Sequence, residues 1–221
     1  MNNLAIALKT LLLCPPAGAP QSIGASSCLE RFGEIQKIIL QRTYNGAVLN
    51  EITIATTDPN LLATWTTFLA AIDDTKVQVT PFINAMNNEV GDPITVGGVG
   101  ATVGGIEKKI GSNASPFTGE FHDEERTVMA DVKVYNREKN LSVFLLNEFG
   151  DIGGIADDID TPTTFRGIPI LDTFFLTDKK FGMKADVDKD FVSWSFLPNW
   201  SDSFHIVTAS DFTPVTDLIN P

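Results

Sequence analysis

Apolar and polar residues alternate most cleanly between Phe191 and Leu197. Val192, Trp194 and Phe196 fall on one side of an extended chain there, and Ser193 and Ser195 on the other. That period of two predicts a half-buried strand, and Phe204–Thr208 repeats it. Lys76–Ile83 alternates through Val77 and Val79, Leu141–Leu146 is an apolar strand ending at the turn Glu148–Asp151, and Pro116–His122 is a short extended candidate. Phe165–Leu176 is also extended, with Pro169 admitted at an edge or bulge. Further upstream, Gly33–Tyr44 carries Ile35, Ile38, Ile39 and Leu40 and stops at Asn45-Gly46, after which Glu51–Thr56 alternates Ile52 with Ile54. Two apolar runs around an Asn-Gly pair predict a β-hairpin.

One segment follows the helical period clearly. Across Asp58–Asp74 the apolar set Leu61, Leu62, Trp65, Phe68, Leu69 and Ile72 makes one face, while Asn60, Thr64 and Thr67 make the other. Asp58 is placed to cap this helix, and Pro59 suits its first position. Asp123–Tyr135 fits two patterns. Val128, Met129, Val132 and Tyr135 share a helical face behind three acidic residues, yet Val128, Ala130, Val132 and Val134 also alternate. Helix is favoured, because the acidic start suits a helix N-terminus.

Many strands with one or two helices predict an α+β fold: a mostly antiparallel β-sandwich or barrel-like sheet with packed helices and extended arms and loops. Residues 1–32, rich in Pro, Gly and Ser, are expected to form an extended N-terminal arm, and 33–221 a single assembly domain. Met86–Asn113 is weakly patterned and glycine-rich, including Gly97, Gly98, Gly100, Gly104 and Gly105. A long loop of this kind inside a domain is expected to serve an interface. Gly98–Gly104 superficially matches a dinucleotide fingerprint, but Gly111 leaves no room for the long helix that must present its N-terminus to a pyrophosphate.

Charge narrows the function further. Sixteen Lys and Arg stand against 28 Asp and Glu, a net charge of −12. This excludes gripping nucleic acid by phosphate neutralisation, though it suits a surface past which nucleic acid slides. The apolar run Leu4–Cys14 is interrupted by Lys9 and falls short of the ~20 residues of a membrane span, and Met1–Cys14 lacks the cationic start and small residue of a secretion signal. Cys14 and Cys28 fit either free thiols or one small disulfide loop. Asp186, Asp188 and Asp190 begin like a calcium loop, but Phe191 and Leu197 occupy its glycine and closing-glutamate positions. With Asp157, Asp158 and Asp160 they form two acidic clusters, expected to be solvated. His122 and His205 are the only histidines, and neither has a nucleophile or metal-ligand spacing beside it. No cofactor, metal or catalytic residue is expected, and the chain is not expected to be an enzyme. Abundant late aromatics are expected in the core or a subunit interface; Trp65, Trp194 or Trp200 would be the stacking platform of a carbohydrate-binding β-sandwich module.

Several stretches carry a resemblance: Phe149-Gly150, Ile152-Gly153-Gly154, Pro169–Phe175, Asp178-Lys179-Lys180, Trp194–Asp202, Val207–Phe212 and Asp217-Leu218, with Gly33–Arg42 and Pro59–Ala71. Across them the chain resembles structural proteins of tailed bacteriophages and prophages of Bacteroidetes hosts, including crAss-like phages. The resemblance implies a virion component, a self-assembling tail-tube or tail-ring subunit that forms a conduit for DNA and meets other virion proteins. A capsid decoration or head–tail connector protein is the alternative within the particle. It implies no catalytic residues. In such a ring the acidic clusters would line the lumen, and the glycine-rich segment would order on a neighbouring copy.

Overall fold

In chain order the computed structural model has strands β1 (Ile35–Arg42), β2 (Tyr44–Asn45), β3 (Val48–Leu49), β4 (Ile52–Thr53), β5 (Val77–Val79), β6 (Asn84–Asn88), β7 (Pro93–Gly97) and β8 (Glu107–Ser112). They continue as β9 (Ser115–His122), β10 (Leu141–Asn147), β11 (Asp151–Ala156), β12 (Thr164–Arg166), β13 (Ile168–Leu171), β14 (Phe175–Leu176), β15 (Lys189–Phe196) and β16 (Phe204–Thr208). Among the described residues the α-helices are α1 (Leu62–Leu69), α2 (Arg126–Lys133) and the single turn α3 (Pro214–Asp217). The structure describes residues 31–98, 100, 105–184 and 186–221. The expected arm, up to residue 30, and with it Cys14 and Cys28, lies outside them. Two compact units emerge, one holding Phe32–Asp92 and Ser112–Pro221, the other holding, of the described residues, Arg31 and those of Pro93–Gly111.

The larger unit is built on an eight-stranded sheet in the order β4-β12-β11-β10-β1-β5, with β13 also on β10 and β16 also on β11. It is antiparallel and curls into a half-barrel, and the fold is α+β as expected. Its centre is the β1–β10 pair, in register from Lys37 opposite Leu146 to Arg42 opposite Leu141. Every residue of β10 is buried, so both faces of this strand are covered. On one side Leu141, Val143 and Leu145 join Ile38 and Leu40 beneath a second sheet, ordered β14-β15-β9-β6. That sheet contributes Phe117, Phe121, Val192, Trp194 and Phe196. On the other side Phe144 and Leu146 join Ile39 under α1 and α3, against Trp65, Leu69, Val215 and Leu218. The alternation predicted for Phe191–Leu197 holds through β15, packed along β9 with Trp194 stacked on Phe117 at 4.2 Å.

Three expectations are corrected. The Asn-Gly pair does turn a hairpin, but a short one of β2 and β3; β1 pairs instead with β5 and β10, and β4 with β12. The first helix begins at Leu62, not at Asp58. Asp58 Oδ1 accepts from the Asn60 amide at 2.9 Å and makes a turn ahead of the helix. The carboxylate that satisfies the first helical amide is Asp211 Oδ1, 2.9 Å from Leu62 N. Thr64 is buried, its hydroxyl donating to Asp58 O, and Ile72, beyond the helix end, is fully exposed. Finally, the glycine-rich span is not one loop: it holds β6 and the hairpin β7–β8. Over Asp123–Tyr135 the helical pattern prevails, because Met129 and Val132 reach the core from one face of α2.

Gly154 shows how tightly β11 is held. A Cβ there would sit 2.6 Å from Arg166 O and 2.6 Å from the Phe165 ring. The backbone carbonyl belongs to the neighbouring strand β12 and cannot swing aside. Gly154→Ala is expected to cost about 1–3 kcal/mol, the range of overpacking in a filled core. A lower urea midpoint at unchanged slope checks this, and an unchanged midpoint refutes it.

Candidate functional site

Hairpin β7–β8 is the least buried regular element described. All five residues of β7 are exposed, Ile94 at 41% and Val96 at 52%, and Ile110 on β8 is 66% exposed. Ile94 and Val96 share a face by the period of the strand. Around the turn Gly97, Gly98, Gly100 and Gly105 all take positive φ, between 69° and 118°, where a side chain is strained. Gly104 lies outside the described residues. Among the described residues the chain after Gly105 runs into strand β8, Glu107–Ser112, rather than into a helix.

The acidic clusters have mixed fates. Asp157 to Asp160 are exposed, as expected, and two of them organise their own loop. Asp157 accepts from the amides of Thr163 and Thr164 at 2.9 Å and from the Thr163 hydroxyl, which holds its carboxyl far below the usual carboxylate range. Asp158 Oδ1 accepts from the amides of Asp160 and Thr161. In the second cluster Asp186 is exposed and Asp188 Oδ1 accepts from the Gly182 amide at 2.8 Å. Asp190 is only 3% exposed and points into the core on the same face of β15 as Val192 and Trp194. It is therefore not a lumen-facing residue. Its counter-charge is Lys179, with Nζ 3.6 Å from Oδ2. The same alternation that identified β15, carried back two residues from Val192, places Asp190 inward. No group of three metal-ligating side chains occurs among the described residues.

A charged strip runs beside this. Glu120 Oε2 lies 2.9 Å from His122 Nε2 and 3.0 Å from Lys189 Nζ. His122, then Lys189, holds the Glu120 carboxyl below its ordinary value, and Glu120 in turn raises Lys189. Glu124 is shifted upward by burial, and Lys37, whose ammonium donates to Val215 O at 2.8 Å, is shifted downward for the same reason.

Beside the β5 edge of the larger unit lies a groove of about 600 Å³. Arg42 bridges two of its carboxylates, with Nη1 2.5 Å from Asp74 Oδ1 and Nη2 2.6 Å from Glu138 Oε1. Tyr135, Val128 and Val132 supply apolar wall. At one end Asn220 makes two bonds to a single residue: its Nδ2 donates to Val79 O at 2.7 Å, and its Oδ1 accepts from Val79 N at 2.8 Å. Nothing in the sequence around Asn220 marks it for this role, because its partner is 141 residues away.

Two of the three tryptophans are buried core residues. Trp65 and Trp194 are 1% and 2% exposed, and Trp200 stacks on Phe196 at 4.5 Å with Phe204 at its edge. Trp65 and Trp194 therefore offer no open face for the sugar-stacking alternative. No known protein family, curated protein or solved structure matches the chain.

The Glu120 strip gives a pH prediction. A carboxylate whose folded pKa is depressed stabilises above its unfolded value and loses that stabilisation as pH falls through the folded value. Glu120→Gln is expected to lower stability by about 1 kcal/mol at pH 7, since the pair is partly screened. The gap to the parent protein should close as pH falls below Glu120's ordinary value of 4.5. Urea melts at pH 7 and at strongly acid pH check this; a gap that persists in acid refutes it.

Proposed function

We propose that the chain is a virion structural protein that self-assembles as a tail-tube or tail-ring subunit around the path of phage DNA. The observation that carries this is hairpin β7–β8, which presents Ile94, Val96 and Ile110 to solvent. A two-stranded hairpin is marginal in water by itself, and a neighbouring copy is the surface that would cover it. The resemblance to phage structural proteins points the same way. So does the net charge of −12, which disfavours tight contact with DNA and favours its passage. Other virion proteins are the further partners of such a subunit. Among the described residues no helix is long and apolar enough to cross a membrane.

Light scattering after gel filtration, with negative-stain microscopy, tests the reading. Rings or tubes are expected from the purified chain. The triple variant Ile94→Ser, Val96→Ser, Ile110→Ser should raise the concentration for half-assembly by about tenfold or more, equivalent to losing about 1.4 kcal/mol per contact. Its melting temperature should stay unchanged, because these side chains are exposed within one copy. Protein that stays monomeric at millimolar concentration overturns the proposal.

A further inference from the structure

We infer that the outer edge of β5, with the groove beside it, is the surface on which hairpin β7–β8 of a second copy docks by strand addition, and that Asn220 caps this edge until then. The inference rests on the self-assembly reading and names the surface that reading requires.

Among the described residues strand β5 pairs on one side only, with β1, Gln78 opposite Leu40 and Val79 opposite Ile39. Thr80 N donates to Ile38 O at 2.9 Å, so the backbone groups of Gln78 and Thr80 turn toward β1. Alternation then directs those of Val77 and Val79 outward. An outward-facing N–H and C=O on one residue is a template for another strand. Asn220 fills it with its carboxamide, which has one donor and one acceptor and reproduces both bonds that an antiparallel partner makes at such a position. The cap is slight. Leu218 is buried and anchors the segment, but Ile219 is 72% exposed and Asn220 itself is exposed. Two exchangeable hydrogen bonds hold it, so an incoming backbone replaces them without leaving Val79 unsatisfied.

Three other edges fit less well, while β16, paired with β11 alone among the described residues, lacks the acidic groove that lies beside β5. β4 and β14 are two residues long, and β6 is broken by a bulge between Asn84 and Asn87 with Ala85 at φ 50°.

Charge identifies the occupant. The groove carries Asp73, Asp74, Asp131 and Glu138 against Arg42 and Lys76. Hairpin residues 93–111 hold Glu107, Lys108 and Lys109, one of the few cationic stretches in a chain of net charge −12. β8 carries both lysines and Ile110 and no proline, so its backbone donors are complete. It is the strand we assign to β5, with Ile110 available to the apolar wall at Val128, Val132 and Tyr135. Hairpin and groove are different surfaces of one chain. Their contact is heterologous and propagates from copy to copy, which closes a ring or extends a filament. This is the edge-addition mode of recognition, in which main-chain bonds give affinity and side chains give register.

Three full-length variants test it by light scattering, each with a melting curve to confirm the fold. Asn220→Ala uncaps the edge and is expected to lower the concentration for half-assembly by about tenfold, as for a contact freed of about 1.4 kcal/mol of competition. Lys108→Glu with Lys109→Glu is expected to raise it by a similar factor. Adding Asp131→Lys to that pair should recover a good part of the loss, since Asp131 is exposed. Assembly that is normal in the parent and unchanged in Asn220→Ala and in the lysine pair overturns the docking surface and leaves self-assembly standing. A parent chain that never assembles overturns both.

Discussion

The structure depends on β10 being buried on both faces along its whole length, and on the central stretch Ile38–Gln41 of its neighbour β1 being buried with it. β1 and β10 lie side by side at the middle of the large sheet, and alternate residues of each feed opposite cores. A strand buried on both faces gains apolar burial from every residue rather than every second one, so this pair accounts for a large share of the body's stability. It also fixes everything laid upon it. Trp65 of α1 meets Phe144 edge-on at 5.1 Å, while the β9–β15 sheet meets the other face through Trp194 and Phe117. A slip of one residue in β1 would exchange the two cores, so the register is strongly specified.

Polar groups in this dry centre differ in how well they are partnered; among the described residues Trp194 Nε1 donates no hydrogen bond and Asp190 Oδ2 accepts none. Asn147, the last residue of β10, is fully buried, yet its carboxamide oxygen accepts from the amides of Phe149 and Asp151 and its nitrogen donates to Phe32 O. It thereby shapes the turn from β10 to β11, in which Gly150 takes φ 86°. Asp190 is the costlier case, a buried carboxylate balanced by Lys179. Both lie at strand ends, where the chain must leave the apolar layer.

Hairpin β7–β8 keeps Ile94, Val96 and Ile110 exposed. In the self-assembly proposed above, the exposed hairpin and the edge that Asn220 caps are the surfaces that neighbouring copies would complete. The proposed roles need no reactive group, since assembly by strand addition draws on main-chain hydrogen bonding and apolar contact. The acidic balance of the chain then acts at a distance, as a field rather than as a site.

Local patterns were enough for much of this. The alternation of Val192, Trp194 and Phe196 foretold β15, the helical face of Met129 and Val132 foretold α2, and the count of strands against helices foretold an α+β fold with antiparallel sheets. Each depends on neighbours in sequence, and the pleat or turn period transmits that information directly. What the sequence left open is what depends on residues far apart. Which strand pairs with β1, which carboxylate satisfies the start of α1 and which side chain covers β5 were decided by Leu145, Asp211 and Asn220 arriving from more than a hundred residues away. Single-residue partners of this kind leave no periodic trace. Asp58 was therefore the natural expectation for the helix cap, and only the packing of the C-terminal segment onto α1 and β5 gave that task to Asp211 and the sheet edge to Asn220.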